Sequence, residues 1–265
     1  MASIRHPHIV TFFGACFQVS PPIMLLEFCY GGNLEQALVK AGVSEREFSL
    51  VQCFNYSQQI ASAMTFLHEF PVPIIHRDLH PKNILLVSRD IVKITDFGLA
   101  KFGSKSATSS TISAKENGNY RFMAPELYEG KPYDQSVDVY SYSMIIYWIY
   151  SGLPPFSSEQ NGLEALKKAC NGKRPNLNLV KDYRIQDLCE LGWTADPSKR
   201  PSFDFISEQL EDMTVFTPNI RPIGHQKKAG ESNPQKAKRP TNNSTQASGP
   251  KSTTTSKRGF ASWFS

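Results

Sequence analysis

Apolar residues in the first part of this chain form two short runs, and a helical stripe follows them. The runs at residues 9–17 and 23–28 flank a Ser-Pro-Pro turn, which predicts a β-hairpin. Leu34, Ala37, Leu38 and Ala41 then recur at helical spacing behind Asn33, a residue suited to cap a helix. The pattern therefore predicts that one hairpin leads directly into a helical region.

The rest of the apolar pattern is mostly helical. Residues 50–67 predict a longer buried helix, and the runs at 84–87 and 91–94 predict a second hairpin. Beyond residue 126 helical spacing returns, and residues 137–150 are apolar on nearly every side, as expected of a helix inside the core. Together these elements predict an α+β fold, with a hairpin in front of a mostly helical body.

The composition changes at about residue 217, where Lys, Ser, Thr, Asn and Pro replace most apolar residues. Such a segment cannot repay the entropy of ordering, so we expect a disordered tail over residues 215–265. The tail holds nine Lys or Arg residues and one acidic residue. Residues 1–214 hold 20 Lys or Arg residues and 23 acidic residues. A basic tail can contact nucleic acid or anionic lipid, but we expect no dedicated partner of either kind.

The cysteines and the apolar runs indicate the cellular compartment in which the protein is expected. The five cysteines are scattered without a Cys-x-x-Cys pair, which argues against a zinc ribbon and against a disulfide framework. The first residues do not resemble a signal peptide, and the longest apolar run is too short to span a bilayer. We expect an intracellular, cytoplasmic protein, with the nucleus as the alternative because of the basic tail.

Three short motifs carry the candidate chemistry. Residues 76–83, between the long helix and the second hairpin, read His-Arg-Asp-Leu-His-Pro-Lys-Asn. Asp-Phe-Gly at residues 96–98 follows a predicted strand, and Ala-Pro-Glu occupies residues 124–126. Each tripeptide alone is a weak signal, because Asp-Phe-Gly is also an ordinary sequence at the end of a strand. Their order and spacing together are specific.

This set of motifs resembles the catalytic segment of eukaryotic protein kinases, and is most similar to the tyrosine-kinase-like group of serine/threonine kinases. The resemblance covers roughly residues 3–214. It implies a mostly helical carboxy-terminal lobe of a protein-kinase-like fold, preceded by a remnant β-hairpin of the amino-terminal lobe. The expected parts are the hairpin and hinge over residues 1–30, the lobe over residues 31–214 and the tail over residues 215–265.

The resemblance assigns roles at the reacting centre and implies ATP and Mg²⁺ as cofactors and proteins as substrates. Asp78 would be the catalytic base that accepts the hydroxyl proton, and His80 would donate a hydrogen bond to the transferred phosphate. Asn83 and Asp96 would be the metal ligands. Oxygen ligands and a carboxylate suit phosphoryl transfer, in which the protein mainly positions groups and neutralises charge.

The resemblance also assigns residues around the adenine ring and in the core. The Glu27 carbonyl and the Cys29 amide would pair with adenine in the hinge, and Leu85 would lie under the ring. Glu126 and Arg200 resemble a buried ion pair that braces the lobe. A stack of side chains that links the two lobes in this family matches Phe12, His76, Phe97 and Asp138.

The chain departs from the family in several places. His80 stands where serine/threonine kinases usually have lysine, and Asn119 stands where a threonine usually interacts with that lysine. The family's glycine-rich strand pair, strand lysine and helix glutamate do not occur in these residues. A loop with seven hydroxyl residues between Ser104 and Ser113 resembles an activation segment whose phosphate would bind Arg77, and a merely flexible loop is the equal alternative.

Two functions therefore stay open. The first is a protein serine/threonine kinase whose domain is truncated in this sequence. Serine and threonine are the expected acceptors, because the features of true tyrosine kinases are missing. The second is a pseudokinase or scaffold module without efficient catalysis, which would need a partner to cover the exposed hairpin. Binding of nucleic acid or membrane through the tail is a distant third.

Overall fold

The computed structural model describes residues 4–43, 48–102 and 119–213. The predicted tail and the hydroxyl-rich loop from Ser104 to Ser113 lie outside these ranges, so both stay predictions. The strands are β1 (Phe12–Cys16), β2 (Ile23–Leu26), β3 (Ile74–Ile75), β4 (Ile84–Ser88), β5 (Ile91–Ile94) and β6 (Lys101–Phe102). The helices are α1 (Leu34–Val43), α2 (Leu50–His68), α3 (Pro125–Tyr128), α4 (Ser136–Ser151), α5 (Gly162–Cys170), α6 (Tyr183–Gly192) and α7 (Phe203–Glu211).

Both predicted hairpins form. Strand β1 pairs antiparallel with β2, and β4 pairs antiparallel with β5. A third pair joins β3 to β6, two strands of two residues each, which are too short to be visible in a hydrophobic pattern. The sheets are small, so most of the core is built by helices.

The β1–β2 hairpin leaves much of its apolar surface in water. All four residues of β2 are exposed, and on β1 the Phe13 side chain is 64% exposed. Leu25 is 62% exposed and Phe28, just after the hairpin, is 71% exposed. An apolar strand pair of this kind is an unusual surface for a protein in isolation.

Helix α4 is the central element of the helical body. Its residues Val137–Ile149 are buried on all sides, as the sequence predicted for a core helix. It packs against α6 and α2, and α2 in turn packs against α7 and β5. The helix ends at Gly152, whose φ of 73° is a left-handed conformation that a glycine adopts without a steric penalty.

Polar capping fixes where α2 begins. The Ser49 hydroxyl accepts a hydrogen bond from the Gln52 amide, and the Gln52 side chain accepts one from the Ser49 amide. This capping box satisfies two amides that the first turn leaves without a partner. The start of α2 is thereby defined at the base of the lobe.

The expected ion pair between Glu126 and Arg200 is present. The Arg200 guanidinium contacts both Glu126 carboxylate oxygens, at 2.5 and 3.0 Å, and also donates to the carbonyls of Thr194 and Ser136. Both charged residues are buried, and these extra hydrogen bonds offset part of their desolvation. The pair ties α3 to the segment that precedes α7.

The predicted α+β class and the mostly helical body are therefore confirmed. None of the helices in the described ranges is long and apolar enough to cross a membrane. The boundaries at residues 30 and 214 between the three expected parts stay predictions.

Candidate active site

The loop that follows β3 is held by a buried carboxylate on α4. Asp138 is fully buried, and its two oxygens accept the backbone amides of His76 and Arg77 at 2.8 Å each. The His68 imidazole lies 2.9 Å from the same carboxylate. Arg77 adopts a φ of 65°, which is costly for a residue with a side chain. Hydrogen bonding to Asp138 stabilises that conformation and fixes the path of the loop.

His76 connects this loop to the end of β5. Its Nδ1 atom accepts the Asp78 amide at 3.3 Å, so its Nε2 atom carries the proton and donates to the Thr95 carbonyl at 3.0 Å. Complete burial lowers the pKa of His76, which keeps the ring neutral. The ring also packs against Phe97, with 5.2 Å between the ring centroids. Two members of the expected stack are therefore in contact.

Asp78 lies at the mouth of the loop with 13% of its side chain exposed. Its Oδ2 atom accepts the Asn83 amide group at 3.2 Å and lies 3.4 Å from His80 Nε2. Burial alone would raise the pKa of Asp78, but the His80 and Asn83 contacts outweigh burial and hold it below its ordinary value. The carboxylate is therefore ionised at neutral pH and oriented by two neighbours.

His80 and Asn119, the two departures from the family, contact each other. The Asn119 amide lies 2.6 Å from His80 Nε2, and His80 is only 3% exposed. His80 Nδ1 accepts the Lys82 amide at 3.2 Å, so a neutral ring carries its proton on Nε2, which lies 3.4 Å from the Asp78 carboxylate. The two positions that depart from the family are therefore in direct contact.

Asp96 lies just after β5 and near the loop that carries Asp78 and Asn83. The Thr95 amide donates to the Asn83 carbonyl at 2.9 Å, which links the two segments that carry the expected metal ligands. Asp96 has a φ of 62°, and its Oδ1 atom accepts the Gly98 amide at 3.2 Å. Its carboxylate is exposed to solvent. A mainly apolar cavity of about 240 Å³ adjoins it, with Phe12 and Phe97 among its lining residues.

The hinge is anchored through the side chain of Glu27. Its Oε2 atom accepts the Thr11 amide and hydroxyl at 3.0 and 2.9 Å and the Lys93 ammonium at 2.8 Å. Burial alone would raise the pKa of Glu27, but the Lys93 and Thr11 hydrogen bonds outweigh it and lower the pKa. Burial and the Glu27 charge raise the pKa of the neighbouring Cys29 thiol. One side chain therefore joins the hinge to β5 and to Thr11, the residue just before β1.

Leu85 and Gly31 define how closely the hinge approaches β4. Leu85 is half-buried on β4 opposite Lys93, and the next residue, Leu86, accepts the Gly31 amide at 2.8 Å. A Cβ atom at Gly31 would lie 2.6 Å from Leu86 Cβ, so only glycine fits there. The sequence motifs did not identify Gly31 or Lys93 as part of the site. The Gly-Gly dipeptide at residues 31–32 is the sequence feature that could have identified Gly31.

Comparison with known proteins assigns a family to this geometry. A sequence profile described as "Protein tyrosine and serine/threonine kinase" matches residues 1–210. The chain is 37% identical over 225 residues to the serine/threonine-protein kinase VIK of Arabidopsis thaliana, which covers 83% of this chain and 50% of VIK. It is 36% identical over 209 residues to the dual specificity protein kinase pyk3 of Dictyostelium discoideum, which covers 79% of this chain and 15% of pyk3. The chain belongs to the protein kinase family.

A third relative supports the same group within the family. The serine/threonine-protein kinase STY46 of Arabidopsis thaliana is 32% identical over 213 residues, which covers 80% of this chain and 36% of STY46. The likeness to the tyrosine-kinase-like group that the sequence indicated is confirmed by VIK and STY46. The chain spans about half the length of VIK and a smaller share of the other two relatives.

Proposed function

We propose that this protein transfers the γ-phosphate of ATP to serine or threonine hydroxyls of protein substrates. The observation that carries the proposal is the Asp78 carboxylate, which is ionised, partly exposed and oriented by Asn83 and His80. The choice of serine and threonine is supported by the missing tyrosine-kinase features and by the names of VIK and STY46.

In this proposal Asp78 accepts the proton of the substrate hydroxyl, because an ionised carboxylate is a base at neutral pH. Asn83 donates to one of its oxygens, and the Nε2 proton of a neutral His80 is directed at the same oxygen. Asp138 fixes the loop before the reaction, so little reorganisation is needed as the proton moves.

The donor set fits Mg²⁺. The Asn83 Nδ2 group makes its hydrogen bonds to the Asp78 carbonyl and carboxylate, which leaves the amide oxygen of Asn83 as a donor for a cation. Asp96 offers an exposed carboxylate, and Mg²⁺ prefers oxygen ligands. We assign Mg²⁺ to Asn83 and Asp96, and adenine to Leu85 and the hinge backbone at Glu27 and Cys29. When bound, Mg²⁺ and ATP supply charge neutralisation and the phosphoryl group.

The test uses a chimera in which the small lobe of VIK precedes residues 1–265, so that a complete nucleotide site is present. We expect Asp78→Asn and Asp96→Asn each to lower the rate of transfer about a hundredfold or more, because each removes charge at the reacting centre. The exposed Asp90, in the β4–β5 turn, is the matched control, and Asp90→Asn should leave the rate unchanged.

The measurement is transfer of radiolabelled phosphate to peptides that differ only in a serine, threonine or tyrosine acceptor. A near-normal rate for Asp78→Asn or Asp96→Asn would remove that residue from the proposed mechanism. A preference for the tyrosine peptide would overturn the proposed acceptor.

A pseudokinase or scaffold is the second candidate, and the exposed β1–β2 hairpin favours it. Phe13 and Leu25 are each more than half exposed, and a partner that covers them would bury a large apolar area. His80 stands where the family usually has lysine, which also weakens the case for rapid catalysis. A chimera that folds and binds ATP but transfers no phosphate would favour this candidate.

A further inference from the structure

A groove adjoins the loop that carries Asp78, between α1 and the end of α4. Its volume is about 420 Å³, which lies within the usual range for small ligand sites. The floor is formed by Phe122 and Trp148, whose rings are stacked with 6.1 Å between their centroids. Val39 and Leu153 form the rim, and they are 52% and 43% exposed. The groove is therefore apolar at its floor and at its rim.

The charged groups along the groove have hydrogen-bond or ion-pair partners within the protein. Lys82 Nζ lies 3.6 Å from a Glu35 carboxylate oxygen. The Arg121 guanidinium donates to the carbonyls of Pro155, Phe156 and Glu159 at 2.9, 2.7 and 2.8 Å. Lys82 and Glu35 therefore pair with each other, and the Arg121 guanidinium is held by neutral carbonyls. An apolar side chain would bury itself against Phe122 and Trp148.

The groove is continuous with the proposed reacting centre. Asn119 lines it and lies 2.6 Å from His80, which in turn lies 3.4 Å from the Asp78 carboxylate. Lys82, which also lines the groove, is in the same loop as Asp78. A polypeptide whose hydroxyl reaches Asp78 therefore passes the groove with its neighbouring residues.

We propose that this groove selects protein substrates with a large apolar side chain, such as leucine or phenylalanine, close to the acceptor hydroxyl. The inference rests on the proposed kinase function and deepens it by naming the substrate class. Continuity with Asp78 identifies the occupant as a substrate segment, and the apolar floor and rim favour an apolar side chain over a charged one.

The test measures binding, so that it does not depend on catalysis. Fluorescein-labelled peptides contain one serine in an alanine and glycine background, with leucine, arginine or glutamate at one varied position. Binding to residues 1–265 is followed by fluorescence anisotropy. We expect leucine at one defined position to tighten binding about tenfold, as expected for burial of one apolar side chain. Arginine or glutamate at that position should have no such effect.

Two rim variants locate the effect, and a matched variant controls for it. Val39→Glu and Leu153→Glu should each remove the advantage of leucine, because each puts a charge at the rim. Val51→Glu makes the same change at an exposed valine on α2, outside the groove, and should keep the advantage. Circular dichroism verifies that each variant is folded, and Leu153→Glu decides the question if Val39→Glu unfolds.

The outcomes separate this inference from the proposed function. Equal effects of leucine at every position, or an equal loss in Val51→Glu, would contradict the inference and indicate nonspecific binding to the exposed hairpin. Transfer by the VIK chimera without a leucine preference would also overturn it and leave the kinase function intact. A leucine preference without any transfer would support the groove and reject the enzyme.

Discussion

At the scale of single residues, buried carboxylates organise this site through hydrogen bonds to backbone amides. Asp138 has no exposure to water, yet it accepts two amides and contacts the His68 ring. These contacts offset the cost of burying its charge, which would otherwise be several kcal/mol. As a result, Arg77 keeps a left-handed conformation and the Asp78 side chain stays partly exposed. A carboxylate on a core helix thus determines where the proposed base lies.

The Glu27 carboxylate in the hinge also accepts a backbone amide, that of Thr11, and it contacts Lys93. These contacts predict how stability depends on pH. Glu27→Gln should lower the free energy of unfolding at pH 7 by about 1 kcal/mol, since the contact with Lys93 is partly exposed. Because the folded-state pKa of Glu27 is lowered, its contribution is present above the ordinary value of 4.5. The contribution is lost as the pH falls through the lower folded-state pKa.

Urea unfolding of both proteins between pH 7 and pH 3 measures this difference. We expect the gap between wild type and Glu27→Gln to narrow toward the acid end of that range. Glu208→Gln, at an exposed position on α7, is the control and should differ little from wild type at any pH. A gap for Glu27→Gln that is constant with pH would mean that the carboxylate charge contributes nothing.

At the scale of elements, the approach of the hinge to β4 depends on Gly31. Gly31→Ala should destabilise the protein by about 1–3 kcal/mol, because its Cβ would lie 2.6 Å from Leu86 Cβ and 2.7 Å from the Leu86 carbonyl oxygen. Gly14→Ala on β1 is the matched control, since a Cβ there meets no atom within 4 Å. Thermal unfolding measures both variants, and equal melting temperatures would show that the hinge can move away from β4.

Elements with a strong local pattern could be predicted from the sequence, and those made by distant contacts could not. The two hairpins, the capped α1, the buried α2 and the core helix α4 all follow from spacing and turn residues. Strands β3 and β6 have two residues each, which is too short for an alternating pattern to predict them. The Glu27–Lys93 contact joins residues 66 positions apart, and it depends on the register in which β5 pairs with β4.

The motifs predicted which residues form the candidate site, but they did not predict the contacts that orient those residues. The resemblance identified Asp78, Asn83 and Asp96 from the sequence motifs. In the folded chain Asp78 and Asn83 are in contact. The orientation of His80 toward Asp78 depends on the Lys82 amide, and Gly31 matters only because Leu86 lies against it. Such contacts are properties of the packed chain, which a single sequence does not encode in any local pattern.

At the scale of the whole molecule, the 265 residues hold the proposed base and metal ligands but lack other parts of a nucleotide site. The sequence contains no Gly-x-Gly-x-x-Gly strand pair to cover the phosphates. Adenine on Leu85 would therefore keep its other face in water in this chain alone. Weak positioning and incomplete exclusion of water both reduce catalysis.

We therefore predict that residues 1–265 by themselves are not an efficient kinase. Asp78, Asn83 and Asp96 should still gather Mg²⁺ and nucleotide weakly, because their arrangement does not depend on the missing strands. The exposed Phe13 and Leu25 should make the isolated chain poorly soluble unless a partner covers them. Calorimetry with ATP and transfer to a generic basic protein measure the two activities, with the VIK chimera as the positive control. Micromolar affinity together with turnover near the roughly 1–100 per second of typical kinases would refute the prediction, and would mean that this chain completes its nucleotide site in another way.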